Sequence, residues 1–296
     1  MIGGQGEDGP VTQVETLWPG YDDGYDKSGY FVDHLFDPVD SIPDLGYDDF
    51  MYSSAVLLDE NTIMSCGGGY SLKADCYGLD LHNGSWFPMP SMKNGRSGFN
   101  LLRVGGEVFA VGGETVERFD SQGQVWTEVF QLEPPRSDHC SVEIGDQQIL
   151  LFGGSSSATL NMTTMIDLEK GDITNLEPMP VGRYRAGCVK WTIDGQEGVM
   201  ITGGKDWITS SSSAFPANYV DFFSLDILPW TRLADSSYGQ WGHQMAIYDT
   251  YEAAEETRSP RPVIIGGAYE LLDETGHPEP HYRNYVRNPT GIMKEL

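Results

Sequence analysis

Apolar and polar positions alternate with a short period along most of the chain, and at intervals an apolar run stops at a pair of glycines. The runs are "IGGQ" from residue 2, "MSCGGG" from 64, "VFAVGG" from 108, "ILLFGG" from 149, "VMITGG" from 199 and "VIIGGA" from 263. An alternating segment follows most pairs: "DCYGLDL" from 75, "TVERFD" from 115, "MTTMIDL" from 162 and "NYVDFFSLD" from 218. A turn then leads to a tryptophan or an apolar substitute, namely Trp86, Trp126, Ile173 and Trp230. A proline-rich link carries the chain to an arginine and a new apolar strand, as in "WFPMPSMKNGRSGFNLLRV" and "WTEVFQLEPPRSDHCSVEI". The order of these signals is the same in each unit, so the chain is read as an internal repeat.

Each unit predicts four antiparallel strands. Two apolar strands form the inner pair, the glycines let the backbone turn without a Cβ clash, and the third and fourth strands lie outside. Trp126 is the bulk expected to fill the wedge between one sheet and the next. A unit of this kind leaves an apolar face uncovered, so the units must stack, and a closed ring leaves only short edges.

In this combination of signals the chain resembles the kelch repeat, and the resemblance covers nearly its whole length. It implies an all-β fold, a six-bladed kelch-type β-propeller. The single domain 1–296 would have blades near 1–50, 51–95, 96–135, 136–182, 183–238 and 239–296. The first blade is incomplete, because its doublet falls at residues 3 and 4. Either "HYRNYVRNPTGIMKEL" pairs across the seam or Met1 is an internal position of a longer chain, and the second is the expectation. Residues 5–50, acidic and laced with aromatics, are read as the outer strands of the first blade with long acidic loops, and residues 205–217 and "DTYEAAEETRSP" from 249 are expected to be long loops of the fifth and sixth blades.

Composition narrows the function. Eighteen Lys plus Arg against 44 Asp plus Glu give a formal charge of −26, which repels phosphate backbones, so nucleic acid is not an expected partner. No apolar run reaches the roughly 18 residues of a membrane-spanning helix. Cys66 and Cys76 flank a short connection, which predicts a cross-strand disulfide, with two buried thiols as the alternative. Cys140 and Cys188 occupy matching inner-strand places and are read as small core residues, with a bridge or a metal pair as the alternatives. Asn83 ("NGS") and Asn161 ("NMT") are glycosylation acceptors if the chain is secreted. With the disulfide they favour an extracellular location; a cytoplasmic one is the alternative.

The chain lacks the H-E-x-x-H, C-x-x-C, G-x-S-x-G and phosphate-loop patterns. Gly4, Gly6 and Gly9 satisfy G-x-G-x-x-G as a string but lack the strand–turn–helix context. His277 and His281 in "HPEPH", and Asp22, Asp23 and Asp26, are read as exposed polar residues rather than metal ligands, and no cofactor is predicted. His139 and His243 open inner strands and are read as hydrogen-bonded strand-end histidines. Copper radical oxidases and a group of sugar epimerases share such blades, and both stay open as enzymatic alternatives.

The repeat places Arg96, Arg136 and Arg183, with Arg185 close by, on the face where inter-blade links converge, and Tyr70 and Trp207 in the loops after doublets. Such a set would grip carboxylates of a protein or glycan partner by forked hydrogen bonds. In the competing reading the repeat arginine pins its own turn to an acid. The function expected is a non-catalytic interaction module.

Overall fold

The backbone is described at residues 2–6, 9–17, 36–38, 51–207, 214–226, 230–233, 235–236, 239–252, 257–265, 267–272, 278–282 and 286–287 of a computed structural model. Side chains are described within residues 51–206, 216–226, 230–233, 235–236, 239–247, 260–265 and 267–268. The elements are β-strands throughout. The chain divides into two compact units, residues 1–15 with 38–178, and residues 16–37 with 179–296.

In the first unit, Ser54–Asp59, Thr62–Cys66, Cys76–Asp80 and Ser85–Met89 form an antiparallel four-stranded meander. Cys140–Ile144, Gln148–Phe152, Thr163–Asp167 and Asp172–Leu176 form a second. Between them in sequence lie Asn100–Val104, Glu107–Asp120 and Val125–Arg136. Here the expected break at Gly112-Gly113 is absent: one strand runs through both glycines, with φ of 130° and 72°. The doublets at Gly67-Gly68 and Gly153-Gly154 are followed by several loop residues, whereas here Thr115 already pairs with Gln131, so the glycines bend the strand without ending it.

The third-to-fourth-strand hairpins share one device. Asp80, Asp120 and Asp167 each end a third strand and accept the backbone N–H of His82 (2.8 Å), Gln122 (2.9 Å) and Lys170 (2.9 Å) respectively. An aspartate at this point closes the turn through its own side chain.

Alternate residues of the apolar strands serve two cores. Val108 and Ala110 join Met64, Phe99, Phe119 and Trp126 on one side. Phe109 and Val111 join Val116, Ile149, Leu151 and Ile166 on the other. Burial on both faces is why these strands read as continuous apolar runs. Trp126 is buried, its ring 5.1 Å from that of Phe119, and its indole N–H donates to Pro90 O at 2.9 Å. The counterpart Ile173 is exposed instead: a side chain of that size on an outermost strand is left at the sheet surface.

The second unit contains Gly187–Ile193, Gln196–Thr202, Val220–Ser224 and Thr231–Arg232 as a four-stranded sheet. Its core includes Met200, Val220 and Phe222. Within the expected loop 205–217, Lys205–Trp207 pairs with Ala214–Pro216. The loop expected from residue 249 is a correction: Gln244–Glu252 and Thr257–Ile265 form one long hairpin, with Asp249 opposite Pro260 and Glu252 opposite Thr257. Val286 pairs with Ile265 in the same sheet.

Gly4, Gly6 and Gly9 lie in a hairpin, Ile2–Gly6 against Gly9–Leu17, which is not a nucleotide-binding turn. His281 lies on the strand Pro278–Tyr282. Asp22, Asp23, Asp26 and His277 are outside the described residues.

Candidate functional site

The glycine doublets have a specific packing role. The residue three places after each repeat arginine immediately precedes an inner strand and lies against a glycine of its own sheet. A Cβ built on Gly112 would come within 2.9 Å of Phe99 Cβ, on Gly154 within 2.9 Å of His139 Cβ, and on Gly204 within 3.1 Å of Ala186 Cβ. Where this residue carries a ring, it also reaches back to a glycine one sheet earlier. Phe99 Cε1 lies 2.6 Å from a Cβ built on Gly67, and His139 Cε1 lies 2.8 Å from one on Gly112. In the second unit, His243 Cε1 is 2.8 Å from one on Gly203. At Gly67, Gly112 and Gly203 a side chain is thus excluded because a neighbouring ring occupies its place.

The repeat arginines point into the protein. Arg96 is buried and donates to the carbonyls of Gly112 (2.8 Å) and Thr115 (2.9 Å), to Thr115 Oγ1 (3.0 Å) and to Glu117. Glu117 also accepts the backbone N–H groups of Lys93 (2.8 Å) and Asn94 (3.0 Å). Burial pulls the Arg96 guanidinium below its ordinary pKa, and Glu117 opposes the shift. Arg183 repeats the arrangement, donating to Tyr219 O at 3.2 Å and to Asp221, with burial again the larger influence and Asp221 opposing it. These two arginines pin the links to acids on the third strand; they offer no fork to a partner. The acids were visible in "TVERFD" and "YVDFFS", three and four residues into the alternating segments.

Arg136 departs from this scheme. The position taken by Glu117 and Asp221 is Thr164, whose Oγ1 accepts from Arg136 Nη2 at 3.0 Å. Burial alone lowers this guanidinium, with no carboxylate opposing it. His139 also departs from expectation. His243 shares a 2.8 Å hydrogen bond with Thr202 Oγ1, whereas among the described residues neither ring nitrogen of His139 has a partner. The residue before the facing glycine is Val111 in one case and Thr202 in the other, and only the hydroxyl can answer an imidazole.

Among the described residues the most exposed large hydrophobic, Tyr70, lies on the loop between the strands Thr62–Cys66 and Cys76–Asp80. The expected disulfide joins Cys66 to Cys76 at its base, with Cα atoms 4.1 Å apart. Gly67 N donates to Asp75 O (2.9 Å), Gly68 N to Arg96 O (2.9 Å), Gly69 N to Met51 O (2.8 Å) and Arg96 N to Lys73 O (3.0 Å). Three consecutive glycines with φ of 66°, 97° and 70° make this path possible. At the far end Tyr70 is 79% exposed and Leu72 56% exposed, with the Tyr70 ring 6.2 Å from Tyr52 in an edge-on contact. Arg185 is half-buried in the second unit, its guanidinium 5.8 Å from the centre of the Tyr184 ring. Trp207 ends the strand Lys205–Trp207, and its side chain is outside the described residues.

The cysteine assignment needs one correction. Cys140 and Cys188 are disulfide-bonded rather than free core thiols, and no cysteine of the chain is free. Similar inner-strand positions describe a buried thiol and a bridge equally well, and only the fold brings a sulfur into bonding range. Asn83 and Asn161 are both exposed. Among the described residues no three His, Cys, Asp or Glu side chains are grouped to hold a metal ion.

A solved structure called YjhT is similar over 95% of this chain and 97% of its own, with a TM-score of 0.66 and 10% sequence identity. The fold is a kelch-type β-propeller. Kelch-like protein 35 of Mus musculus is 26% identical over 131 residues, 42% of this chain. The matched region is 22% of that protein's length. No protein-family model matches the chain. Arg96 and Arg183 with their third-strand acids are internal fastenings of this chain, while Tyr70 and Leu72 in the loop after Gly67–Gly69 are exposed.

Proposed function

We propose that this propeller is a non-catalytic interaction module that presents the 67–75 loop, with Tyr70 at its tip, to a protein or glycan partner outside the cell. The observation that carries the reading is an exposed Tyr70 and Leu72 on a loop closed by a disulfide and held by backbone hydrogen bonds. An aromatic side chain on a rigid support loses little entropy when it docks, which is how anchors of binding sites are built. Arg185 and Trp207 are further contact residues in this proposal. Two disulfides suit an oxidising compartment, and exposed Asn83 and Asn161 suit glycosylation there.

A copper radical oxidase needs a Tyr–Cys cross-link, and every cysteine is in a disulfide. A sugar epimerase on the same scaffold is the second reading, and the experiment below distinguishes it.

The test is binding of the purified, oxidised protein to arrays of extracellular proteins and glycans, with Tyr70→Ala and Leu72→Ser variants beside the wild type. Specific binding that falls at least about tenfold in Tyr70→Ala, with an unchanged Tm, is the expected result. Binding that ignores both substitutions would remove the loop from the site. Bound copper with a visible radical band, or sugar anomer exchange seen by NMR, would replace the proposal with an enzyme. Mass measurement without reductant tests the location: four free thiols and no glycan would favour the cytoplasm.

A further inference from the structure

Arg136 and His139 lie three residues apart in the first unit, and both are buried, 2% and 5% exposed. Among the described residues, Arg136 Nε and Nη1 and both ring nitrogens of His139 have no hydrogen-bond partner. Nε and Nη1 carry three N–H groups between them. Only Nη2 is used, toward Thr164 Oγ1 (3.0 Å) and Met162 Sδ (3.7 Å). Thr164 Oγ1 in turn donates to Asn175 Oδ1 at 2.9 Å, so its hydrogen is directed away from the arginine.

The contrast lies within one repeat. Arg96 and Arg183 each have a carboxylate on the third strand, Glu117 and Asp221; Arg136 has a threonine there. A buried cation without a counter-charge is costly, and the cost falls when an anion occupies the site. Burial and the nearby Arg136 push His139 down to about 3, so at neutral pH its ring offers one N–H donor. Gly113, opposite Arg136 in the strand ladder, has nothing within 4 Å of where a Cβ would stand.

We propose that Arg136 and His139 form an internal binding site for a small monovalent anion, chloride or a formate-sized carboxylate, which takes the place of the carboxylate the other repeats carry. This inference is independent of the 67–75 loop and its partner.

The experiment compares thermal unfolding of the oxidised protein in chloride, formate and gluconate at equal ionic strength and pH 7.5, with bromide-soaked crystals for location. Gluconate is too large for an enclosed site and serves as the reference. A wild-type Tm that rises by about 3 °C per tenfold increase in chloride or formate is expected, together with anomalous bromide density beside Arg136. Whichever of the two anions raises the Tm identifies the occupant. Thr164→Asp supplies the missing carboxylate; it should match or exceed the wild-type Tm in gluconate and lose the anion response. Arg136→Met should also lose the response. If Arg136→Met does not fold, Thr164→Asp decides alone. A wild-type Tm equal in all three salts, a response that persists in Thr164→Asp, or density for water alone beside Arg136 would each overturn the proposal.

Discussion

Trp126 shows how much of this structure rests on single side chains. It fills the space between two sheets of the first unit, packs on Phe119 and satisfies its indole N–H on Pro90 O. Trp126→Ala should destabilise the protein by about 3–5 kcal/mol, measured by urea unfolding. A loss under about 1 kcal/mol would mean that the wedge is not where the stability lies. Gly95 is a second such position. A Cβ there would stand 1.9 Å from the backbone oxygen of Leu72, a group that cannot swing aside. Gly95→Ala should therefore displace the 67–75 loop, seen as faster hydrogen exchange at Arg96 N, which donates to Lys73 O. Unchanged exchange at that amide would show that the loop tolerates the methyl group.

At the scale of the element, the repeat is a meander fastened by one buried ion pair, and the strength of the fastening is asymmetric. Removing the carboxylate charge leaves Arg96 charged and dry, while removing both side chains also strips the partners of the Lys93 and Asn94 N–H groups and of the Gly112 and Thr115 carbonyls. Glu117→Gln should accordingly cost about 3–5 kcal/mol in chemical unfolding, and the double variant Arg96→Met with Glu117→Leu should cost more than Glu117→Gln alone. If the double variant is the milder of the two, the unpaired charge outweighs the lost backbone hydrogen bonds. Arg136 and Thr164 depart from this pattern in the structure, and that departure motivates the anion site.

At the scale of the whole molecule, a formal charge of −26 makes acid behaviour informative. Asp167 is held well below the usual carboxylate range by the Lys170 side chain, the Lys170 backbone N–H and Gln148. Asp120 is lowered by the backbone N–H groups of Gly123 and Gln122. A carboxylate whose folded value is depressed contributes stability that is complete above its unfolded value, near 3.9, and is lost as pH falls through that value toward the folded one. Acid unfolding should therefore steepen below about pH 4. Asp167→Asn should lower the Tm at pH 7 and flatten that acid limb. An acid limb of unchanged slope in the variant would show that the turn aspartates do not set it.

The repeat, its strand order, the tryptophan wedge and the Cys66–Cys76 pair were all legible in the chain, because each rests on residues close in sequence and on a period that local chemistry enforces. The direction of the repeat arginines was not: "RSGF" and "RSDH" look alike, and only the third strand, 21 to 38 residues further on, decides whether a carboxylate or Thr164 meets the guanidinium. The same holds for Cys140 and Cys188, for the strand running unbroken through Gly112-Gly113, and for the long hairpin at residues 244–265. Pairings between distant residues depend on which surfaces the packed sheets bring together, and local pattern cannot specify them. Hence the tertiary structure alone separated the buried fastening from the exposed Tyr70 loop, and showed that among the described residues Arg136 Nε and Nη1 and both ring nitrogens of His139 have no hydrogen-bond partner.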